Sequence, residues 1–367
     1  MKIGIIADTH FGHQRFEEDA FKQGREGLLR LAEKADIVLH AGDFFDVKVP
    51  SFNILYEVIS ILNEFSKQNK PLIVVRGNHE RRSKDLVDSL KLLSSAGLCI
   101  YKNWDVLSFE KNDEKVNILV VGNVPDEDAR GVINMAYQQN KHLLKDGFNI
   151  LLIHQEINEY SSRFNEKYVS VGFLKGLGFD LVVNGHIHRR YISHDFIIPG
   201  STVVTKLNEE ELTQPRGVVL YDTKTKKAEE IILNQRKGVY VSKHFSNATI
   251  KEVNDFIVNE YSKSKREYGN IIMKIKLTGT LKQGLLPSDV LVPDIPYLFI
   301  DNQLNKSSID LKINEIRKLR INKLSVKEFI ENKLNDELSN KMKILKPIQL
   351  YDELLEKEVE DILEDLL

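Results

Sequence analysis

Cysteine is nearly missing from this chain: Cys99 is the only one in 367 residues. A lone thiol excludes an intramolecular disulfide and any metal cluster built from cysteine, and Cys99 is expected to be a small core residue. Long hydrophobic runs are missing too. Although 42% of the residues are hydrophobic, no stretch approaches the ~18 consecutive apolar residues that a membrane-spanning helix needs. The opening MKIGIIADTH has only a short apolar run that ends in Asp8 and His10, unlike a secretory leader, so a cytoplasmic location is expected. Net charge is small, at −2, which argues at first against a nucleic-acid binder. The charge is unevenly placed, however: residues 351–367 hold eight acidic residues against one lysine, leaving a mildly basic body ahead of an acidic tail.

What is present is a recurrence of short apolar runs. KIGIIA (2–7), DIVLHA (36–41), PLIVV (71–75), NILVVG (117–122), NILLI (149–153) and DLVVN (180–184) have strand length. Segments with helical spacing, 16–34 and 52–65, separate the first three, which is the alternation of an α/β sheet. DFIIPG, RGVVLYD and AEEIILN then follow with turn residues between them, as in a β-meander. The reading is α/β: two packed β-sheets flanked by helices over residues 1–235. A small α/β cap domain follows over 236–300, built from strand 239–245, helix 250–261 and strand 271–277. Residues 301–367 form a linker and C-terminal helices, with Ser325 and Glu328 as a capping box.

The residues that follow the strands carry the chemistry. Asp8-Thr9-His10, Gly42-Asp43, Gly77-Asn78-His79, His154, and Gly185-His186-Ile187-His188 each stand at the end of one run. Open α/β sheets place ligands at the carboxyl ends of their strands. In extended backbone, residues two apart face the same side, so His186 and His188 can address one object. Seven oxygen and nitrogen donors exceed the needs of one tetrahedral ion. They suit two ions about 3.5–4 Å apart with one bridging carboxylate, the arrangement that clamps a phosphoryl displacement. Glycines 42, 77 and 185 let the backbone turn under a crowded site. His40 is expected to be a core or supporting residue, and His142, His194 and His244 to be surface or packing residues.

DTHFG, GDFF followed by VPS, GNHE, HQ and GHIHR resemble the successive motifs of calcineurin-like metallophosphoesterases. They are most similar to DNA double-strand-break repair nucleases of the SbcD type, which act with an SMC-like coiled-coil ATPase. The resemblance covers residues 1 to about 235. It implies two Mn2+ per subunit, one held by Asp8, His10, Asp43 and His188, the other by Asp43 as bridge with Asn78, His154 and His186. His79 would stabilise the transition state or protonate the leaving oxygen. The nuclease pattern has a second non-ligand histidine three residues after the bridging aspartate, where this chain has Asp46, taken here as the second candidate catalytic residue beside His79. Asp46 together with RGNHE resembles protein serine/threonine phosphatases instead, and such a phosphatase, or another dinuclear-metal phosphoesterase, is the alternative function. His13, Arg15, Arg82, Arg189 and Arg190 stand in loops where DNA phosphates could be met.

Two interaction surfaces are expected. The helix after Asp43 carries Phe52, Ile54, Leu55, Val58, Ile59, Ile61, Leu62 and Phe65, which wrap more than one face and predict a homodimer. The C-terminal helices carry apolar stripes, Phe329, Ile330, Leu334, Leu338 and Met342 on one and Tyr351, Leu355, Val359, Ile362 and Leu366 on the other. A two-helix unit buries little apolar surface alone, and by resemblance it docks on the ATPase. Deleting residues 307–367 is therefore expected to leave manganese-dependent nuclease activity nearly intact while abolishing co-purification with the ATPase. Unchanged affinity of the shortened chain for that partner would overturn the docking role.

Overall fold

A computed structural model describes residues 1–81, 87–161, 165 and 168–306. Arg82 and the C-terminal stretch from 307, including the expected partner-binding helices, lie outside the described residues. The chain divides into two compact units: Met1–Tyr240 with Lys263–Lys274, and Val241–Ser262 with the chain from Ile275.

The first unit begins β1 (Lys2–Ile6), α1 (Glu17–Lys34), β2 (Ile37–His40), α2 (Phe52–Ser66), β3 (Leu72–Val75), α3 (Ser89–Ser95), β4 (Ile100–Lys102), β5 (Trp104–Lys111) and β6 (Glu114–Val121). It continues with α4 (Asp126–Asn140), β7 (Phe148–Ile153), α5 (Val171–Gly176), β8 (Leu181–Asn184), β9 (Tyr191–Ile192), β10 (Phe196–Ile198), α6 (Glu209–Thr213), β11 (Gly217–Asp222) and β12 (Lys227–Ile232). Two six-stranded sheets result, in the orders β12-β11-β1-β2-β3-β4 and β5-β6-β7-β8-β10-β9. Strands β1 to β4 are parallel, as are β6, β7, β8 and β10, so their carboxyl ends share one edge in each sheet.

Side-chain alternation explains why these runs are apolar without a break. Ile3 and Ile5 of β1, Leu39 of β2 and Ile73 of β3 meet Ile118, Ile150, Leu152 and Val183 of the other sheet in one buried layer. The alternate residues face outward: Ile6, Val38 and Val74 pack under Leu28 and Leu31 of α1 and Leu62 and Phe65 of α2. Leu119, Leu151 and Val182 likewise pack with Ala129 and Ile133 of α4 and Leu174 of α5. A strand covered on both faces needs apolar residues at every position. Helix α2 is opened by Ser51, whose side chain accepts the Ile54 N–H.

The second unit holds most of β13 (Lys237–Ala248), α7 (Ile250–Tyr268) and β14 (Ile271–Leu281), joined by β15 (Leu298–Asn305). The sheet order is β13-β14-β15. This is the strand-helix-strand pattern read from the sequence with one strand added, and that strand runs past residue 300 into the span assigned to the linker. The first unit extends to Tyr240, a few residues beyond the sequence boundary at 235.

Candidate metal centre

The loops after β1 and β2 run side by side beyond the sheet. The Asp8 N–H donates to the Gly42 carbonyl (3.0 Å), His10 to Asp43 (3.1 Å) and Phe11 to Phe44 (2.9 Å). Asp8, His10 and Asp43 all sit in left-handed backbone, at φ 51, 44 and 50°, and His186 joins them at 74°. Such conformations cost non-glycine residues on the order of 1–3 kcal/mol each and turn the side chains back over the sheet edge. Gly77 is required by closeness: a Cβ there would lie 2.1 Å from Oδ1 of Asp43. Gly42 is required twice, by its φ of 89° and because a Cβ would stand 2.4 Å from Nδ1 of His154.

Three ligand-capable groups converge: Asp8 with His10 and His188, Asp43 with His154 and His186, and His10 with Asp46 and His79, the last sharing His10 with the first. Nε2 of His10 and Nε2 of His188 are 3.3 Å apart. In the second group Nε2 of His154 is 3.3 Å from Oδ2 of Asp43. Oδ1 of Asn78 completes that group, 3.1 Å from Nε2 of His154 and 2.8 Å from Nδ1 of His186. The seven predicted ligand residues are thus brought to one place, from both sheets.

The imidazoles of His154, His186 and His188 are held from behind by hydrogen bonds, and that of His10 is backed by the Asp46 carboxylate without an aligned one. Nδ1 of His154 donates to the Ala41 carbonyl (2.6 Å), and Nε2 of His186 donates to Oε2 of Glu156 (2.9 Å). Nδ1 of His188 meets Oε1 of Glu211 (3.0 Å), and Nδ1 of His10 lies 3.1 Å from Oδ1 of Asp46. Carbonyl and carboxylate oxygens only accept, so the nitrogen facing them carries a hydrogen and the opposite nitrogen faces inward, free to bind an ion once deprotonated. His79 follows the same rule, with Nδ1 donating to the Asp46 carbonyl (2.5 Å) and Nε2 3.9 Å from Oδ2 of Asp43. Asp46 therefore touches His10 through its side chain and His79 through its backbone.

Electrostatics match this geometry. Burial opposes ionisation of Asp43, but the neighbouring His154 outweighs it and holds the carboxyl far below the usual range. Burial likewise pushes His154 down, and Asp43 overrides it, raising His154 to about 9. Glu80 is buried and accepts the N–H groups of Phe45 (2.8 Å) and Gly77 (2.9 Å), stapling the Asp43 loop to the Asn78 loop. Burial, then Asp43, raises Glu80 to about 7. His40 is fully buried, its pKa lowered to about 3 by desolvation, with Nε2 3.1 Å from the Thr9 hydroxyl. It supports the loop as expected, while His142, His194 and His244 are exposed.

The centre opens into a cleft of about 690 Å³ lined by His79, Glu156, Tyr160, His186, Arg189 and Lys206, among others. Arg189 is exposed and pairs with Glu210 (3.3 Å). Arg15 is exposed, and His13 is half-buried with its ring stacked on Phe16. The guanidinium of Arg190 turns away, donating to the carbonyls of Pro199 (3.1 Å) and Pro215 (3.1 Å) and to Glu230 (2.9 Å). Sequence reasoning missed Glu211, Thr205 and Arg216, which stand in no strand-end motif, and also Glu156, which directly follows the His154-Gln155 motif but was not singled out.

Stacked sheets whose parallel strands deliver carboxylate, amide and inward-facing imidazole groups to a shared edge define a metal-dependent phosphoesterase, a hydrolase. The chain belongs to the calcineurin-like phosphoesterase family, which its residues 1–190 match. It is similar to the DNA double-strand break repair protein Mre11 of Methanococcus maripaludis, 23% identical over 393 residues that span 99% of this chain and 97% of that protein. The Mre11 protein of Archaeoglobus fulgidus is 26% identical over 280 residues, 67% of this chain and 58% of its own length. That of Methanocaldococcus jannaschii is 23% identical over 323 residues, 84% and 87% respectively.

In the metal-free chain, His154 at about 9 is an imidazolium at neutral pH, and a metal ion must displace its proton. Apparent metal affinity is therefore expected to rise by about tenfold per pH unit as pH increases towards that value, with at least one proton released on binding. Calorimetric titration in buffers of different ionisation enthalpy measures both quantities. Affinity independent of pH below about 8 would show that no such proton is displaced.

Proposed function

We propose that the chain is a manganese-dependent DNA exo- and endonuclease of double-strand-break repair that holds two Mn2+ per subunit and acts with an SMC-like ATPase. The observation that carries the reading is the convergence of the Asp8-His10-His188 and Asp43-His154-His186 groups, with Asn78 between His154 and His186 and one ring nitrogen of each of these histidines turned inward. Asp8, His10 and His188 would hold one ion and Asn78, His154 and His186 the other, with Asp43 available to both. The donor set is oxygen and imidazole nitrogen without thiolate, which admits several divalent ions, and the choice of manganese follows the family resemblance. The repair role and the DNA substrate follow the names of the three relatives.

Bound divalent ions supply Lewis acidity to the phosphoryl oxygens and activate water for in-line displacement. His79 does the proton work. Its Nδ1 is tied to the Asp46 carbonyl, which leaves Nε2 as the atom that carries a proton to the leaving oxygen. Asp46 sets the angle of both His79 and His10, in place of a second cleft histidine. Arg189 lines the cleft, and His13 and Arg15 lie on the loop that follows His10, so these three are the basic groups that meet DNA phosphates.

The homodimer forms through the open face of α2. Val58, Ile61, Leu62 and Phe65 are buried within the subunit, whereas Val49 (72%), Phe52 (88%) and Tyr56 (69%) are exposed. Three large apolar groups left to water at one helix start form a patch that a second copy can cover.

Purified protein with manganese is expected to cleave linear duplex DNA and to leave a phosphopeptide untouched; the reverse outcome would establish the phosphatase alternative. His79→Ala should abolish cleavage with both ions retained, whereas His188→Ala and Asp43→Ala should also lower metal content, as read by metal analysis. A metal-depleted His79 variant would show its role to be misassigned. Replacing Phe52 and Tyr56 together by Asp is expected to give a folded monomer in sedimentation, and a persistent dimer would place the interface elsewhere.

A further inference from the structure

His186 and His188 are separated by one residue, yet they present opposite nitrogens inward. His186 turns Nδ1 to Oδ1 of Asn78 (2.8 Å), while His188 turns Nε2 to Nε2 of His10 (3.3 Å). Their outward nitrogens meet carboxylates from different parts of the chain. Glu156, in the loop after β7, takes Nε2 of His186, and Glu211, in α6, takes Nδ1 of His188.

The two carboxylates are held very differently. Glu211 is 7% exposed, and its Oε2 accepts the N–H groups of Thr205 (2.9 Å) and Lys206 (3.0 Å) with Arg216 3.8 Å away. The Thr205 hydroxyl also stands 2.7 Å from Nδ1 of His188, so that imidazole has a second partner behind it. Glu156 is 22% exposed on the wall of the cleft, hydrogen-bonded by the Ser161 side chain and without backbone N–H donors among the described contacts, and no second side chain shares Nε2 of His186 with it there. An imidazole that can spin about its Cβ–Cγ bond offers either nitrogen or neither to an ion. An acceptor behind it selects one ring orientation and one tautomer.

We infer that Glu156 is a positioning residue for His186 that sets the strength of the metal position shared by Asn78, His154 and His186, independently of the Glu211-backed position around Asp8, His10 and His188. The inference rests on the two-ion reading. Each carboxylate reaches only one of the two histidines, so loss of one leaves the other imidazole's support in place.

The test uses the full chain stripped of metal and titrated with Mn2+ by calorimetry, with electron paramagnetic resonance to report coupling between paired ions. The wild-type chain is expected to show two binding steps. Glu156→Ala should weaken one step by about 10–100-fold and leave the other unchanged, with the coupled-pair signal lost at limiting metal. Glu156→Gln keeps an oxygen acceptor for Nε2–H and should recover most of the lost affinity. Glu211→Ala should weaken the other step instead. Two unchanged steps in Glu156→Ala, equal weakening of both, or a Gln variant as weak as the Ala variant would each overturn the positioning role. A single step in the wild-type chain would instead bring down the two-ion reading and this inference with it.

Discussion

One hydrogen bond, from Nδ1 of His154 to the carbonyl of Ala41, joins the carboxyl edges of the two sheets. His154 follows β7 of one sheet and Ala41 follows β2 of the other, so the bond ties the two layers together at the buried centre of an edge also joined by the N–H groups of His186 and Thr202 to Asp8 and of Asn123 to the Arg76 carbonyl. Its shortness, 2.6 Å, dictates what surrounds it. Gly42 and Gly185 flank the contact because a Cβ on either would fall within 2.4–2.6 Å of the same nitrogen. The bond also decides which nitrogen of His154 faces Asp43, and through Asp43 it reaches the backbone of His79, whose N–H donates to Oδ1 (3.0 Å). Loop geometry, tautomer and catalytic position thus follow from one close approach.

Crowding so many titratable groups at a buried edge is costly, and the structure offsets the cost locally. Asp8 accepts the His186 N–H with both oxygens, and Asp43 accepts that of His79, so neither buried carboxylate depends on side-chain charge alone. Glu211 is kept ionised at about 2 because His188 and the N–H groups of Lys206 and Thr205 outweigh its burial. Arg216, itself almost fully buried, closes this outer layer by donating to Oγ of Ser201 (2.9 Å). Positive charge from imidazolium and guanidinium does in the metal-free chain part of what bound cations do in the loaded one.

The parts that could be read from sequence are those whose environment leaves no choice. β1, β2, β3, β6, β7 and β8 were legible because both faces are covered, and every metal-facing residue stands at one of their ends. Strand β5 was missed because its pattern, WDVLSFEK, is broken by Asp105, Ser108 and Glu110 at a half-exposed sheet margin. Helix α4 was missed as well, since its buried face is only Ala129, Ile133 and Ala136. The apolar excess on α2 was visible in sequence, but not its division into a buried half and an exposed start at Phe52 and Tyr56. Glu211 had no local signature, and Glu156, though two residues past His154, had none pointing to His186, because a carboxylate behind a histidine can come from any loop that folds past it. Arg190 stood in the right motif to meet phosphate, and only the path of the chain through Pro199 and Pro215 shows where its guanidinium goes.

The ligand-bearing groups enter from five strand ends scattered between Asp8 and His188, and they meet only when both sheets have formed and stacked. An unfolded chain offers an ion no comparable cluster, so binding is coupled to folding by mass action. An ion present at a hundredfold over its dissociation constant deepens the native well by about 2.7 kcal/mol. That is a sizeable share of the roughly 5–15 kcal/mol by which domains are stable. The persistence of the first unit is therefore a function of free metal concentration as much as of its apolar layers, and chelation removes a thermodynamic brace along with a reagent.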